Sequence, residues 1–467
     1  MSKSFKYPKA LLLTTALIAL PFAPAMADAK DDKIAAMEQQ MLLMMEEIKT
    51  MKAERAAEKQ QQNEAQKTLK RQVTALEAKT DEVVANIAPA AGVASDDGAK
   101  ISMKGGTPKI TKGDFSFQPT GRIHLDAGGF DDDNIDHPNG AEFRRARIGM
   151  KGDVSKAFGY KLEVDFANEN VNLADAYLNY DGLEKTDIRI GHFKPGYSLE
   201  ETMSSNDLSF IERSAAVDSF TSSRKLGLGV LTHDKNWSLA AGIFNDDAGR
   251  ESNDDEALSV NGRATFTPLN NETQTVHLGA SASYREPDQS NDTFDFDSRA
   301  ENRLQRTDSV SAVITDAEDA QVYGIEAAAS LGPVHAQAEY LMAHVSSNAG
   351  NDPQFTGGYG QLSWFVTGEN RPYSSSKGAF SSPKIEAFDP SNGEWGALEL
   401  AARYSNLDLN DGAITGGELT TTTLGANWYV NNNVRFMGNV IFADTDENAV
   451  TPDDDPTVYL MRSQVKF

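Results

Sequence analysis

The sequence predicts an all-β protein: a 16-stranded antiparallel transmembrane β-barrel preceded by an N-terminal α-helical coiled coil. Three observations predict the barrel. Segments in which apolar and polar residues alternate recur from residue 112 onward, charged residues lie near their centres, and aromatic residues lie near their ends. The chain finishes in TVYLMRSQVKF, where Tyr459, Met461, Val465 and Phe467 share one face, as expected of a strand that faces lipid with aromatic residues at the membrane interface.

Residues 1–27 have the pattern of a secretory signal peptide. Three lysines precede the apolar run ALLLTTALIAL, and Ala25 and Ala27 form a small-residue cleavage site before Asp28. The run has 11 residues, which is too short for a helix that crosses a bilayer. We therefore expect an exported mature chain that begins near Asp28.

Residues 28–87 keep their apolar residues in a seven-residue register, which predicts a periplasmic coiled coil. Polar residues at Arg55, Glu58 and Gln62 weaken the register in the middle, so an isolated amphipathic helix that lies on another domain is the alternative. If the coil forms, chains must associate. One apolar series runs through Ile34, Met41, Ile48, Leu69, Leu76 and Val83, and the other runs through Met37, Met44, Met51 and Ala65.

Residues 88–111 are rich in Ala, Gly, Pro, Ser and Lys and predict a linker, and residues 112–467 predict the barrel. The clearest strand is YKLEVDF, residues 160–166, and the same alternation returns in ADAYLNY, ALELAARY, TLGANWYV and VRFMGNVIF. At roughly 20 to 24 residues per strand with its connection, this region predicts about 16 strands, with 18 as the alternative. A soluble sandwich also alternates, but the central charges and terminal aromatic residues favour the barrel.

The composition excludes several classes of function. A formal net charge of -25 makes binding to nucleic acid through a general basic surface a poor hypothesis. The sequence has no cysteine, which excludes a disulfide scaffold and thiol chemistry. We find no catalytic motif and predict no cofactor, and acidic loops such as FNDDAGRESNDDE lack a fixed metal-ligand spacing. An outer-membrane hydrolase would have to assemble its site from residues distant in sequence.

The stretch EFRRARIGM places basic residues on a segment that alternates like a strand. Arg145, Arg147 and Lys151 share one face and oppose an apolar face. An arginine on the lipid face would cost roughly 2 to 4 kcal/mol near the bilayer centre, so these residues are predicted to face a water-filled lumen. Arg144 has the parity of the apolar face, but it lies at the strand start and can reach an interface or a loop. Alternatively, each lumenal arginine pairs with a carboxylate such as Asp175 and organises the wall.

Several segments, in order over residues 121–467, resemble the phosphate-selective porin O and P family. They include GRIHLDAGGFDDD, EFRRARIGMKGDV, YKLEVDFAN, IRIGHFKPGYSLEETMSSNDLSFIERS and GYGQLSWFVTGENRPY. The terminal Phe467 also resembles the end of the closing strand of bacterial outer-membrane proteins. The resemblance implies a trimeric outer-membrane channel of sixteen strands, in which lumenal arginines and lysines guide anions such as phosphate to a constriction. Residues at basic positions of that pattern are Arg122, Arg144, Arg145, Arg263 and Arg285, and an infolded loop contributes Arg299 and Arg303.

The sequence departs from the family pattern at the expected constriction. Glu201 stands where the characterised phosphate channels have a lysine, and Asn206 stands where they have a second lysine. Ser204 and Ser205 keep the pattern. We expect Glu201 and Asp175 at the pore constriction, where Glu201 would oppose strict phosphate selectivity.

The predicted function is passive diffusion of small ions and solutes across the outer membrane, with a preference for anions such as phosphate. The expected partners are two further copies in a homotrimer, outer-membrane lipid and lipopolysaccharide, small anions, and peptidoglycan through the coiled coil. A general or cation-favouring porin is one alternative. The other is a barrel-anchored stalk, residues 31–86, that tethers the outer membrane to the cell wall.

Overall fold

The computed structural model describes residues 98–245, 257–287, 292–385, 388–446 and 453–467, together with position 49. Apart from that position, the predicted signal peptide and coiled coil lie outside the described residues. Among the described residues, no helix has both the length and the apolar character needed to span a membrane.

The described strand-rich region contains two short α-helices, two 3₁₀ helices (Ala167–Glu169 and Pro390–Asn392) and a series of antiparallel strands. The α-helices are α1 (Leu199–Thr202) and α2 (Ala215–Phe220). The strands are β1 (Lys100–Lys104), β2 (Thr107–Lys112), β3 (Phe115–Asp131), β4 (Gly140–Ser155), β5 (Phe158–Asp165), β6 (Asn172–Leu183), β7 (Thr186–Phe193), β8 (Lys225–His233), β9 (Trp237–Phe244), β10 (Ser259–Asn270), β11 (Gln274–Arg285), β12 (Phe294–Ser298), β13 (Val310–Ile314), β14 (Ala317–Leu331), β15 (Val334–Ser347), β16 (Gln354–Phe365), β17 (Tyr373–Ser374), β18 (Ala379–Phe380), β19 (Ala397–Asp411), β20 (Ile414–Tyr429), β21 (Val434–Asp446) and β22 (Thr457–Lys466).

Sixteen of the described strands, β3–β11, β14–β16 and β19–β22, form a closed barrel. Each pairs with the next along the chain, and β22 closes the wall on β3 with Lys466 opposite Arg122. The predicted all-β barrel of sixteen antiparallel strands is therefore confirmed. Alternation sends apolar side chains outward, where residues such as Ile325 and Tyr404 are more than half exposed, while their polar neighbours are buried inside.

Within the linker predicted over residues 88–111, residues 100–111 belong to the hairpin of β1 and β2, and residues 88–97 lie outside the described residues. Lys100 pairs with Thr111, and the two-residue turn is Gly105-Gly106, both at positive φ. Two successive positive φ values suit a tight hairpin, which is why glycines occupy both positions. The same Gly, Pro and Lys content that predicts a linker thus belongs to a turn and to short exposed strands. Strand β2 also pairs with the start of β3, where Ile110 lies opposite Phe117.

The two ends of the barrel differ in the length of their connections. At one end, six connections among the described strands have two to four residues each, for example 184–185 and 430–433. Long connections dominate the other end. Bacterial barrels place short turns in the periplasm and long loops outside, so the end with Phe467 is the periplasmic end.

Three long connections fold into the lumen, as far as the described residues extend. We name them the central loop (residues 194–224), the side loop (286–316) and the turn-end loop (366–396). The first two enter from the outer end and the third from the periplasmic end. Phe220 of the central loop packs on Phe296 of the side loop with ring centroids 5.9 Å apart, and Phe296 packs on Phe355 of β16 at 5.5 Å. These apolar contacts fill one side of the lumen, and the open part of the lumen lies along the other side.

The C-terminal residue closes the barrel beside a glycine. The amide of Phe467 donates to the Gly121 carbonyl at 2.9 Å, and the Gly121 amide donates to the Phe467 carbonyl at 2.8 Å. A Cβ atom at Gly121 would lie 2.3 Å from the ring carbon Cζ of Phe467. The aromatic ring therefore covers the strand where a side chain is missing.

Gly121→Val is expected to destabilise the refolded barrel by about 1–3 kcal/mol, because it overpacks the strand closure. Denaturant unfolding in detergent measures this loss. Gly360→Val is the matched control, since a Cβ atom there meets nothing within 4 Å. Equal losses for both variants would contradict a role for the Phe467 packing.

Candidate functional site

A cavity of about 720 Å³ lies between the inner wall of the barrel and the inward-folded loops. The described residues that line it include twelve basic and five acidic side chains, so the lumen is locally positive although the chain is acidic. The basic residues are Arg122, Arg144, Arg145, Arg147, Lys161, Arg189, Lys194, Arg213, Arg224, Arg263, Arg303 and Lys377, and the acidic residues are Asp175, Asp187, Glu201, Asp207 and Asp218.

A β-bulge turns both neighbouring arginines of EFRRARIGM into the lumen. The pairing of β3 with β4 shifts between His124 and Leu125, so that Arg144 is the extra residue. Arg144 donates to both carboxylate oxygens of Glu212 in the central loop, at 2.9 and 3.0 Å. Arg145 is buried and lies 3.9 Å from the same carboxylate. Arg144 thus reaches a loop, one of the two positions expected for it.

Arg147 and Arg122 continue this row deeper in the lumen, and both are paired. Arg147 contacts Glu163 at 3.1 Å and Asp165 at 2.7 Å, and Arg122 contacts Glu163 at 3.2 Å. Arg122 also donates to the hydroxyl of Ser205 at 3.1 Å. The expectation that lumenal arginines pair with carboxylates therefore holds for these two, while both still line the cavity.

The two predicted constriction carboxylates line the cavity, and each contacts two cations. Glu201 lies 2.6 Å from Lys194 Nζ and 2.7 Å from Arg213 Nε. Asp175 lies 2.5 Å from Lys161 Nζ and 2.7 Å from Arg224 Nε. Each cluster therefore has more positive than negative charge.

Helix α1 fixes the position of Glu201. Ser198 caps the helix by accepting a hydrogen bond from the Glu201 amide at 3.3 Å, which places the carboxylate in the first turn. Burial by itself would raise the pKa of the Glu201 carboxyl, but Arg213 and Lys194 hold that pKa below its ordinary value. Glu201 is therefore ionised at neutral pH.

The other predicted site residues divide into two groups. Arg263 and Arg303 line the cavity, where they contact Glu326 at 2.6 Å and Asp218 at 2.9 Å respectively. Arg285 and Arg299 are not among the described residues that line it. Arg285 donates to the Phe220 carbonyl at 2.5 Å, and Arg299 contacts Asp308 at 3.0 Å within the side loop. Both stabilise inward-folded loops.

Lys194, Arg189, Arg213 and Arg224 were not predicted as site residues. Three of them lie in the central loop, where no strand period indicates the direction of a side chain. For Arg189, Lys194 and Arg213, the signal in the sequence was membership of the segment IRIGHFKPGYSLEETMSSNDLSFIERS, which contains the expected constriction.

Four consecutive wall strands hold the central loop through its backbone carbonyl oxygens. This set was also missed, because the partners are distant in sequence. The donors and the carbonyl groups that they reach are Arg403 to Glu212 (3.1 Å), Asn427 to Ser209 (2.8 Å), Arg435 to Leu208 (2.8 Å) and Arg462 to Ile211 (2.6 Å).

The side loop is also held inside the lumen, through the carboxylate of Glu301. Glu301 is buried, accepts a hydrogen bond from Arg403, and accepts another from the Ala215 amide at 3.1 Å. Glu301 thus anchors the side loop in the lumen. No group of three or more acidic or histidine side chains in the described chain is arranged to hold a metal ion.

Comparison with known proteins gives a family. The family model described as "Phosphate-selective porin O and P" matches residues 117–467. Porin O of Pseudomonas aeruginosa is 30% identical over 425 residues, which cover 81% of this chain and 95% of that protein. An uncharacterized protein of Caulobacter vibrioides is 30% identical over 391 residues, which cover 79% of this chain and 76% of that protein.

A solved anion-selective porin from Comamonas acidovorans matches 76% of this chain and 100% of its own, with 13% sequence identity and a TM-score of 0.49. The family match covers the barrel from β3 to the C-terminal residue and agrees with the closed sixteen-stranded wall. The chain belongs to the phosphate-selective porin O and P family and is an outer-membrane channel protein.

Proposed function

We propose that the channel passes small anions by passive diffusion, with a preference for phosphate, through each barrel of a homotrimer. The observation that carries this proposal is the excess of basic over acidic side chains along the cavity, twelve against five among the described residues. The family description supports phosphate as the anion. The geometry of the site favours a channel over an enzyme, since its charged groups are distributed along a passage.

The low-dielectric wall of the barrel strengthens the effect of these charges on ions in the pore. Arg303 and Arg144 lie near the outer end of the cavity, Arg122 and Arg147 lie further in, and Lys377 lies on the turn-end loop. An anion that enters therefore stays close to positive charge along the passage.

Arginines that already form ion pairs still have hydrogen-bond donors for an anion. A guanidinium group has five hydrogen-bond donors, and its planar fork matches the oxygens of phosphate. Arg122 uses contacts to Glu163 and Ser205, and donors remain for an anion in the cavity. The neighbouring Ser204 and Ser205 add hydroxyl groups that can donate to a phosphate oxygen.

The expected opposition of Glu201 is weakened by its surroundings. Lys194 and Arg213 both contact the carboxylate, so the cluster repels anions less than an isolated carboxylate would. This favours an anion-preferring channel over the general or cation-favouring porin. Because Glu201 is nevertheless an acid, we expect this channel to prefer phosphate less strongly than a channel with lysine at this position.

Residues 28–87 support a second, structural role that is compatible with the channel. Their heptad register would form a trimeric periplasmic stalk able to contact peptidoglycan. Deletion of residues 28–98 tests this role. Loss of envelope attachment with unchanged conductance is the expected result, and unchanged attachment would contradict it.

Phosphate should inhibit chloride current through the purified full-length protein in a planar bilayer. We expect Arg122→Gln to raise the half-inhibiting phosphate concentration at least about tenfold, because a hydrogen bond to a charged group contributes roughly 1.5–3 kcal/mol. Arg306→Gln is the matched control, since Arg306 is largely exposed and does not line the cavity. Chloride current that is insensitive to phosphate, or equal inhibition of both variants, would contradict the proposal.

A further inference from the structure

Glu339 of β15 is a buried wall carboxylate that accepts hydrogen bonds from the central loop. The Leu199 amide donates to its Oε2 atom at 2.9 Å, and the Glu200 amide donates to its Oε1 atom at 2.7 Å. The hydroxyl of Tyr359 on β16 donates to the same Oε1 atom at 2.7 Å. Glu339 is not among the described residues that line the cavity, so any effect on passing ions must act through the loop.

These contacts complete the start of helix α1. The first amides of a helix have no acceptor within the helix itself. In α1 they belong to Leu199, Glu200 and Glu201. The first two donate to Glu339 and the third donates to the hydroxyl of Ser198. Two of the three amides therefore depend on one wall side chain.

The other end of α1 is held by the same two cations that contact the Glu201 carboxylate. Lys194 donates to the Glu201 carbonyl at 2.8 Å. Arg213 donates to the carbonyl groups of Glu200 at 3.1 Å and Met203 at 3.2 Å. The helix, the Glu201 carboxylate and the two cations thus form one hydrogen-bonded unit beside the cavity. A shift of the helix backbone would move all three charges.

The wall position of Glu339 has an electrostatic cost. In the strand pairing, Glu339 lies directly opposite Glu326 of β14, and like charges at such positions destabilise a sheet. Glu326 contacts Arg263 at 2.6 Å and His277 at 2.8 Å, whereas Glu339 forms no ion pair within the described chain. Its charge is compensated by hydrogen bonds, and those to an ionised acceptor are the stronger kind. Because two of the three donors are amides of α1, the carboxylate suits a role in holding that helix.

We propose that Glu339 is a positioning residue for ion selectivity. By fixing α1 it holds the charges of Glu201, Lys194 and Arg213 where they act on ions in the lumen. This inference rests on the proposed function in so far as ions pass through this lumen, but it does not depend on a preference for anions.

A second attachment of α1 determines what loss of Glu339 should do. The Glu200 carboxylate accepts a hydrogen bond from Arg403 at 3.3 Å and another from the Ser214 amide at 3.0 Å. Without the Glu339 contacts the helix should therefore shift while the central loop stays in the lumen. The expected result is a changed constriction in a folded barrel.

The test measures how strongly Glu201→Gln changes the ratio of anion to cation permeability with and without Glu339. The ratio comes from the reversal potential of the full-length protein in a planar bilayer under a potassium chloride gradient. With Glu339 present, the ratio should change about fivefold. Glu339→Gln keeps the shape of the side chain, but its NH₂ group cannot accept from a backbone amide. In that background Glu201→Gln should change the ratio less than about twofold, because the two residues act through one helix.

Glu418→Gln is the matched control. Glu418 is a wall carboxylate of β20 that accepts a hydrogen bond from the Asn406 side chain at 2.6 Å and has no hydrogen bond to the described central loop. In this background the effect of Glu201→Gln should remain about fivefold. A residue that only stabilised the barrel would also leave that factor unchanged, so the factor separates positioning from general stability.

Glu339→Asp is a second variant, which keeps the charge but is one methylene group too short to reach both amides. It should also reduce the effect of Glu201→Gln to less than about twofold. Single-channel conductance establishes that each barrel has folded. If neither Glu339 variant forms channels, the inference is overturned, because Glu339 then supports the wall itself.

The remaining outcomes separate this inference from the proposed function. Equal effects of Glu201→Gln with and without Glu339, or no effect in the natural protein, would overturn the inference. Cation selectivity of the natural protein, with an effect of Glu201→Gln that requires Glu339, would contradict the anion preference and support the inference. Anion selectivity with equal effects would support the channel proposal and reject the role of Glu339 alone.

Discussion

Arg462→Met is expected to destabilise the barrel by about 3–5 kcal/mol, because it removes the partner of two buried carboxylates. Arg462 is fully buried and donates to both oxygens of Asp126 at 2.6 Å. It also contacts Glu212 at 2.7 Å and donates to the Ile211 carbonyl at 2.6 Å. Methionine keeps much of the volume but none of these donors, so it leaves negative charge buried and releases the central loop.

Denaturant unfolding of the refolded protein in detergent measures the free energy of unfolding. Arg306→Met is the matched control, since the Arg306 side chain is 64% exposed and lies 3.4 Å from Glu142. An exposed pair of this kind contributes no more than about 1 kcal/mol. If both variants lose the same free energy, Arg462 does not hold the central loop in the way its contacts indicate.

Glu201→Gln is expected to raise the ratio of anion to cation permeability about fivefold. The change removes one negative charge beside the pore and releases Lys194 and Arg213 to act on anions. Two unit charges 4 Å apart in water interact by roughly 1 kcal/mol, which corresponds to this factor. The reversal potential under a potassium chloride gradient gives the permeability ratio.

Glu369→Gln removes the same charge from a partly exposed residue that is not among the described cavity-lining residues and should leave the ratio unchanged. A fall in the ratio for Glu201→Gln would mean that Glu201 holds its two cations in place instead of opposing anions.

The pKa of Glu201 also predicts how pH affects the central loop. Since its pKa is below the ordinary value when the protein is folded, the two ion pairs stabilise the loop at and above the ordinary pKa of glutamate. This contribution is lost as the pH falls through the lowered pKa. Neutral solutions should therefore leave the pairs intact, and Glu201→Gln should remove this part of the acid sensitivity.

The alternation of the sequence was enough to predict the barrel and the lumenal face of its strands. The lipid outside penalises charge, so Arg145 and Arg147 could only face inward. The direction of Arg144 could not be derived from parity, because a β-bulge adds one residue that the alternation does not reveal. The hairpin of β1 and β2 was not predicted, because the Gly, Pro and Lys content of this segment is also typical of a linker.

The inward-folded loops could not be predicted in the same way. Arg462 and Glu212 are 250 residues apart in the chain. The sequence around each residue does not identify the other as its partner. For the same reason the two cations that contact Glu201 could not be predicted, although the sequence analysis had placed Glu201 at the expected constriction. Contacts that form only after the wall closes carry little local signal.

The most direct test of the anion-selective pore is the reversal potential of the full-length protein in a planar bilayer under a potassium chloride gradient. The excess of basic side chains along the cavity predicts a reversal potential displaced toward the equilibrium potential of chloride. A displacement toward the equilibrium potential of potassium would contradict the account, because it would mean that the lining cations serve only as wall ion pairs.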